Sequence, residues 1–174
     1  MPMSVLLSEA VIQEKVSDLA RAIDRDYAGR VPVLVGVLTG ATIFMADLIR
    51  KMQIPVEMEF MAVSSYGAGT ESTGVVRILK DLNNEVTGRD LIIVEDIVDS
   101  GLTLAYLQNL LRAREPASLR TCVLLDKKER RETAVVLDYI GFTIPNAFVI
   151  GYGLDYGGLY RQLPFVGVLD PTAI

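Results

Sequence analysis

The sequence contains no histidine and only one cysteine, Cys122. The absence of histidine excludes a Ser-His-Asp or Cys-His relay, a His-based zinc site and an imidazole base. A single cysteine cannot form an intrachain disulfide or a thiolate cage, so a required metal would be bound through oxygen, which favours magnesium or calcium. The cysteine count is typical of a reducing compartment, and we expect Cys122 to be a small buried hydrophobic residue.

The chain also lacks a net positive charge and a long apolar run. Its 17 basic and 22 acidic residues give a net charge of −5, so no overall positive field attracts nucleic acid. The longest uncharged stretches, residues 31–46 and 139–154, are shorter than the roughly 20 apolar residues that a membrane-spanning helix needs. The first lysine is Lys15, so the N-terminus has no basic signal region. We expect a cytoplasmic protein with no nucleic-acid or membrane partner.

The apolar residues that are present alternate between helical and strand spacing. With 51% hydrophobic residues in 174 positions, the chain is long enough for one globular domain. Helical spacing occurs over residues 8–29 (with Ser8 as the N-cap), 43–52 and 103–114. Strands are predicted at residues 33–37, 56–62, 75–79, 91–94 and 118–125. This alternation predicts an α/β fold with a mostly parallel sheet, in which ligands bind at the carboxyl ends of the strands.

Three other segments have distinct compositions. Residues 64–74 are rich in glycine, serine and threonine, and we expect a mobile loop that could act as a lid. Residues 127–132 carry many charges and are interpreted as a loop whose lysine and arginines beyond Lys127 form a solvated run. Residues 140–152 give no firm assignment.

The most informative segment follows the strand predicted at residues 91–94. It contains Glu95 and Asp96, then the small-residue run 99–103, and leads into a helix. A turn of small residues at a helix start directs backbone N–H groups and hydroxyls to one point, which holds a phosphate monoester without a basic side chain. The two adjacent acids would repel a phosphate, whereas their oxygens suit ribose hydroxyls or a magnesium ion. The chemistry favours a phosphorylated ribose, with an acidic turn before an ordinary helix as the alternative.

The segment Val94–Thr103 resembles the phosphoribosyl pyrophosphate motif of the type I phosphoribosyltransferases, in the form found in their 6-oxopurine (hypoxanthine-guanine) branch. The resemblance extends over about residues 33–169. It implies a three-layer α/β fold with a mostly parallel twisted sheet flanked by helices. It also implies a single domain over residues 1–174, with a small hood formed by the chain termini at about 1–10 and 145–174. Members of the family are dimers or tetramers, so we expect a homo-oligomer.

The implied reaction is a magnesium-dependent step of purine salvage, in which the 5-phosphoribosyl group passes from phosphoribosyl pyrophosphate to N9 of hypoxanthine or guanine. The resemblance makes Asp99 the catalytic base that takes a proton from N7 of the purine. The residues implied to bind the phosphoribosyl group are Glu95, Asp96, Asp99, Ser100, Gly101, Leu102 and Thr103. Those implied to bind the metal are Glu95, Asp96 and Asp155.

The resemblance also implies which residues bind pyrophosphate, the leaving group, and which bind the purine, the accepting group. Leu38, Thr39, Gly40 and Arg161 are implied to bind pyrophosphate, with a cis peptide bond at Leu38–Thr39. Many relatives have lysine in place of Thr39, so this contact would rest on backbone amides. Lys127, Phe148, Val149 and Asp155 are implied to bind the purine, and Ser65 and Tyr66 to begin the mobile catalytic loop. By composition alone, Phe148 could instead be a core residue, and Asp155 and Arg161 could be surface charges.

Two alternatives remain at the level of the sequence. One is a phosphoribosyltransferase for another base, xanthine or adenine. Lys127 argues against adenine, because an ammonium group only donates hydrogen bonds and so favours a 6-oxo over a 6-amino group. The other is a regulator that senses phosphoribosyl pyrophosphate and binds nucleic acid, against which the acidic charge balance argues.

Overall fold

The computed structural model describes residues 3–65, 76–170 and 172. Its helices are α1 (Glu9–Asp26), α2 (Thr42–Lys51) and α3 (Leu102–Arg112), with a short 3-10 helix at Lys128–Arg130. Its strands are β1 (Met3–Leu7), β2 (Val33–Leu38), β3 (Glu57–Ser65), β4 (Val76–Lys80), β5 (Asp90–Val98), β6 (Ser118–Asp126), β7 (Tyr139–Thr143), β8 (Val149–Ile150) and β9 (Val166–Leu169).

The central sheet has the strand order β4-β3-β2-β5-β6-β7. All neighbours are parallel except β4, which is antiparallel to β3. The central strands are apolar along their length because helices cover both faces. One face packs its core with α1 and α2, and the opposite face packs with α3. This three-layer arrangement confirms the predicted mostly parallel α/β fold.

The helices begin where the sequence predicts them to begin. The Ser8 hydroxyl accepts a hydrogen bond from the Val11 backbone at 3.3 Å, which caps α1. The apolar residues of α1 at helical spacing are buried, which confirms the predicted amphipathic face. Helix α3 follows Gly101, whose φ of +86° lies in the left-handed region. Cys122 is buried and unbonded, as expected.

A second, smaller sheet has the order β1-β9-β8 and is antiparallel throughout. Met3 pairs with Leu169, so the two ends of the described chain meet in this sheet. We call it the terminal sheet. The division of residues 1–174 into one domain with a hood at about 1–10 and 145–174 stays a prediction.

Strands β5, β7 and β3 differ from what the sequence predicts. Strand β5 continues to Val98 because its pairing with β6 persists, with Glu95 opposite Val123 and Ile97 opposite Leu125. Strand β7 forms in a region that local composition left unassigned, because it pairs in parallel with β6. Strand β3 includes Ser64 and Ser65, which were expected to lie in the mobile loop. Tyr66 and the rest of that expected loop lie outside the described residues.

None of the helices in the described ranges is both long enough and apolar enough to cross a membrane.

Candidate active site

A cavity of about 130 Å³ lies where β5 meets α3. It is lined by Glu95, Ile97, Val98, Asp99, Ser100, Gly101, Thr103 and Leu104. We call residues 99–103 the cradle, because they curve around this cavity at the start of α3. Within the cradle, the Leu102 backbone N–H donates to the Ser100 hydroxyl at 3.3 Å. Of the residues predicted to bind the phosphoribosyl group, all but Asp96 and Leu102 line the cavity.

The cradle is held in place by the charged segment of residues 127–132. The Ser100 carbonyl accepts hydrogen bonds from the Glu132 and Thr133 backbones at 2.9 and 3.1 Å. A β-carbon at Gly101 would lie 2.9 Å from both the Arg131 side chain and the Thr133 carbonyl oxygen. Glycine at position 101 therefore meets two demands at once, a left-handed backbone and a close approach by the neighbouring segment.

Arg131 corrects the expectation that the arginines after Lys127 form a solvated run. Its guanidinium donates to the carboxylate of Asp126, a residue only 4% exposed, and to the Asp99 carbonyl at 3.3 Å. A buried carboxylate at the end of β6 requires a cationic donor, and Arg131 supplies it. The sequence reasoning missed this role because the partner is set by the packing of two loops.

Asp99 faces two cationic side chains at the rim of the cavity. The Arg130 Nε lies 3.1 Å from one carboxylate oxygen of Asp99, and the Lys127 Nζ lies 3.9 Å from the other. Lys127 is buried at the end of β6, and its backbone N–H donates to the Val98 carbonyl at 3.0 Å. The structure therefore brings the predicted catalytic base and the predicted purine-binding lysine together.

Glu95 and Asp96 are adjacent acids near the end of β5. Burial, together with the negative charge of Asp96, raises the pKa of Glu95 well above its usual value. Burial raises the pKa of Asp96 to about 6, although the Ile97 backbone N–H and the charge of Arg161 oppose the rise. Within the described residues, neither carboxylate has a cationic side chain within 4.0 Å. This pair is chemically suited to hydroxyl donors or to an oxygen-bound cation.

The structure does not gather the three predicted metal ligands into one cage. Among residues 3–65, 76–170 and 172, no group of three or more acidic or cysteine side chains is close enough to hold a metal ion. Asp155 instead pairs with Arg161 Nη2 at 3.1 Å and accepts the Gly158 backbone N–H at 2.8 Å. A cation here would therefore take further oxygen ligands from a bound substrate.

A second turn joins β2 to α2 beside the two acids. We call residues 38–41 the pyrophosphate turn, after its predicted ligand. Its Leu38–Thr39 peptide bond is cis, as the family resemblance implies. The Thr39 carbonyl accepts the Thr42 hydroxyl at 2.7 Å, which fixes the entry into α2. A side chain at Gly40 would overlap the Asp96 carboxylate, so glycine allows this turn to touch β5.

The glycine-rich segment, residues 151–158, covers the pyrophosphate turn. Gly153 packs on the Gly40 carbonyl, where any side chain would overlap it. Arg161 reaches back to this segment and donates to the Gly153 carbonyl at 2.5 Å. Arg161 and Asp155 thus form an ion pair next to the turn, and neither is a free surface charge.

The remaining predicted purine-binding residues lie at the start of β8. Phe148 is 49% exposed, which contradicts the alternative that it is a core residue. Its ring meets Tyr156 edge-on, with centroids 5.8 Å apart. Val149 is buried in β8. Sequence reasoning missed Tyr156, although its place among the glycines at 151, 153, 157 and 158 was a signal for a shaped loop. In the structure all four glycines have positive φ.

The fold and this arrangement define a class: an α/β domain with a cavity and two buried acids at the carboxyl ends of its parallel strands, where such folds bind their ligands. The model of the phosphoribosyl transferase domain family matches residues 6–157. The chain belongs to this family.

Similar proteins extend the match over nearly the whole chain. A hypoxanthine-guanine phosphoribosyltransferase from Bacillus subtilis is 51% identical over 168 residues, covering 97% of this chain and 93% of that protein. The bifunctional protein TilS/HprT of Listeria innocua is 53% identical over 167 residues, and the match covers 96% of this chain but only 26% of that longer protein. A crystal structure of a hypoxanthine phosphoribosyltransferase from Staphylococcus aureus superposes with a TM-score of 0.94 at 45% identity, covering 98% of this chain and 92% of that one.

Proposed function

We propose that the protein is a purine-salvage enzyme that transfers the 5-phosphoribosyl group from phosphoribosyl pyrophosphate to N9 of hypoxanthine and guanine. The products are IMP or GMP and pyrophosphate. One observation carries this proposal: the Asp99 carboxylate lies at the rim of the cavity and 3.9 Å from the Lys127 ammonium group. This arrangement supports a base next to a 6-oxopurine, and the relatives named above support the same reaction.

The cradle binds the 5-phosphate. Ser100, Gly101 and Thr103 line the cavity at the start of α3, where backbone N–H groups and the helix dipole favour negative charge. Glu95 and Asp96 accept hydrogen bonds from the ribose hydroxyls. The pyrophosphate turn, with Leu38, Thr39 and Gly40, binds the leaving group through backbone amides, and Arg161 adds positive charge beside it.

Lys127, Phe148 and Val149 hold the purine. Lys127 donates to the 6-oxygen, the exposed ring of Phe148 stacks on the base, and the backbone at Val149 contacts the base edge. As N9 forms a bond to C1′ of the ribose, the bond from C1′ to pyrophosphate breaks and its electron pair leaves with pyrophosphate. The proton on N7 passes to the Asp99 carboxylate, since the chain has no histidine to accept it.

The acids at the site fit a divalent cation such as magnesium. Glu95 and Asp96 offer buried oxygens and have no cationic partner within 4.0 Å among the described side chains, and Asp155 lies on the adjoining segment. When bound, the cation supplies charge stabilisation for the departing pyrophosphate. The chain's own residues orient the two substrates, and such positioning accounts for much of the lowering of the barrier in transfers of this kind.

The decisive experiment is steady-state absorbance kinetics with purified protein, phosphoribosyl pyrophosphate and magnesium, with hypoxanthine, guanine, xanthine and adenine offered separately. Turnover of hypoxanthine or guanine without turnover of adenine is the expected result. Turnover of xanthine or adenine alone would reassign the base. Absence of turnover with every base, together with measurable binding of phosphoribosyl pyrophosphate, would favour a sensing regulator.

The proposal also includes a homo-oligomer that acts in the cytoplasm. Analytical ultracentrifugation tests the oligomeric state.

A further inference from the structure

A buried tyrosine of the glycine-rich segment contacts α2, the helix that follows the pyrophosphate turn. Tyr152 is 2% exposed, and its hydroxyl donates to the Asp47 carboxylate at 2.6 Å. The same Asp47 oxygen accepts the side-chain amide of Gln13 in α1 at 2.9 Å. One carboxylate oxygen therefore joins α1, α2 and the glycine-rich segment.

The two partners are placed directly behind the predicted pyrophosphate site. Asp47 lies in α2, the helix that begins one residue after the pyrophosphate turn. Tyr152 is followed by Gly153, the residue that packs on the Gly40 carbonyl. The Tyr152 backbone N–H also donates to the Leu163 carbonyl at 2.8 Å, in the segment that carries Arg161. Tyr152 thus ties α2 to the glycine-rich segment through its side chain, and it ties the glycine-rich segment to the segment of Arg161 through its backbone.

Tyr152 has an unfavourable backbone conformation, which its hydrogen bond to Asp47 helps to hold. Its φ is +49°, between Gly151 at +92° and Gly153 at +97°, and a bulky residue rarely occupies this left-handed region. Burial and the hydrogen bond to Asp47 raise the pKa of Tyr152 well above its usual value, so the hydroxyl stays a donor at all working pH values.

We propose that Asp47 and Tyr152 are positioning residues for phosphoribosyl pyrophosphate, which hold Gly153 and Arg161 against the pyrophosphate turn. Neither side chain needs to touch the substrate. The inference rests on the proposed function, because it concerns binding of that substrate. It predicts that losing the hydrogen bond weakens binding of phosphoribosyl pyrophosphate more than it slows the chemical step.

The chain provides a matched control for the loss of one buried tyrosine hydroxyl. Tyr139 is also buried, and its hydroxyl also donates to a carboxylate, that of Asp26, at 2.6 Å. It lies at the first residue of β7, whereas the site lies at the carboxyl ends of β2 and β5. Tyr139→Phe therefore removes the same kind of tyrosine–carboxylate bond at the opposite end of the sheet, together with a hydrogen bond that this hydroxyl accepts from Arg120 at 2.8 Å.

The test measures the Kd of phosphoribosyl pyrophosphate by calorimetry with magnesium and without base, together with KM and kcat. For Tyr152→Phe we expect Kd and KM for phosphoribosyl pyrophosphate to rise about fivefold, with kcat changed less than about twofold. Asp47→Ala is expected to weaken binding at least as much, because it also removes the acceptor of the Gln13 amide. The double variant is expected to bind like Asp47→Ala, since the Tyr152 bond is already lost in that variant. Asp47→Asn keeps an acceptor oxygen and is expected to bind like wild type.

Three outcomes decide the matter. Weakened binding in Tyr152→Phe and Asp47→Ala, with wild-type binding in Asp47→Asn and Tyr139→Phe, supports the inference. Unchanged binding in Tyr152→Phe, with a fall in melting temperature similar to that of Tyr139→Phe, overturns it and leaves the proposed function intact. If the wild-type protein binds no phosphoribosyl pyrophosphate, the proposed function fails, and the inference fails with it.

Discussion

Gly40 lies so close to the carboxylate of Asp96 that a β-carbon at position 40 would come within 2.8 Å of the Asp96 Cγ. The contact joins the pyrophosphate turn to β5 and places the turn beside both buried acids. No left-handed φ is involved at this glycine. The need for glycine is therefore steric, and it is created by a residue 56 positions further along the chain.

Gly40→Ala is expected to force the turn away from β5, lower the free energy of unfolding by about 1–3 kcal/mol, and raise the KM for phosphoribosyl pyrophosphate. Chemical denaturation and steady-state kinetics measure the two effects. In the background of Asp96→Ala, which removes the obstructing carboxylate, the same substitution is expected to cost much less stability. Equal stability losses in both backgrounds would contradict the steric explanation.

Asp99→Asn is expected to lower kcat about 100-fold or more, because an amide cannot accept the purine proton. Binding of phosphoribosyl pyrophosphate should stay near the wild-type value, since the shape of the cradle is retained. Asp81→Asn is the control: Asp81 pairs with Arg114 and its side chain is 45% exposed, close to the 44% of Asp99. Wild-type turnover in Asp99→Asn would remove this residue from the catalytic role.

Lys127→Met is expected to raise the KM for hypoxanthine at least about tenfold, because the buried donor to the 6-oxygen is lost. Binding of phosphoribosyl pyrophosphate in the absence of base should change little. Lys128→Met is the control, since Lys128 is the adjacent lysine and is exposed. An equal effect of the two substitutions on the KM for hypoxanthine would argue against base recognition by Lys127.

The stability of the unliganded protein should depend on the ionisation of Asp96. Burial raises the pKa of Asp96 to about 6 in the folded state from a usual value of 3.8, so the folded state holds its proton more tightly than the unfolded state does. Stability from this group is therefore fully present below about pH 4 and is lost as the pH rises through about 6. In Asp96→Asn the side chain at position 96 does not ionise, so this pH-dependent loss of stability is absent.

Thermal unfolding at a series of pH values checks this expectation. The melting temperature of Asp96→Asn minus that of wild type should grow from pH 4 to about pH 6 and then level off. Asp170→Asn serves as the control, because Asp170 is exposed and its hydrogen bonds with Thr172 lower its pKa. A difference between Asp96→Asn and wild type that does not vary with pH would show that Asp96 is not held protonated by burial.

Local patterns in the sequence predicted most of the central fold. The apolar residues of α1 and the charge-free run of β2 are buried as their spacing indicates. The residue types at positions 95–103 favoured a phosphorylated-ribose site and left an acidic turn before an ordinary helix as the alternative. In the structure, residues of this segment line a cavity. The boundary of β5 could not be predicted, because Glu95 and Ile97 belong to the strand only through their pairing with Val123 and Leu125 on β6.

The role of Arg131 also could not be predicted from the local sequence pattern. The five residues from Lys127 to Arg131 are all charged, and such a run is typical of a solvated surface. Only the position of the buried Asp126 shows that one of the arginines is a structural partner. Tyr152 is a similar case. An aromatic residue between glycines gives no indication of its partner, and Asp47 lies 105 positions away.

The sequence by itself determined the class of fold and the chemistry available to the protein. Apolar periodicity is a local property that is preserved in any arrangement of the elements, and the absence of histidine leaves carboxylates to act as bases. Tertiary structure alone decided which residues meet: Gly40 with Asp96, Lys127 with Asp99, and Tyr152 with Asp47. Each pair joins residues on different elements, and their contact depends on strand order and loop packing, which no local spacing encodes.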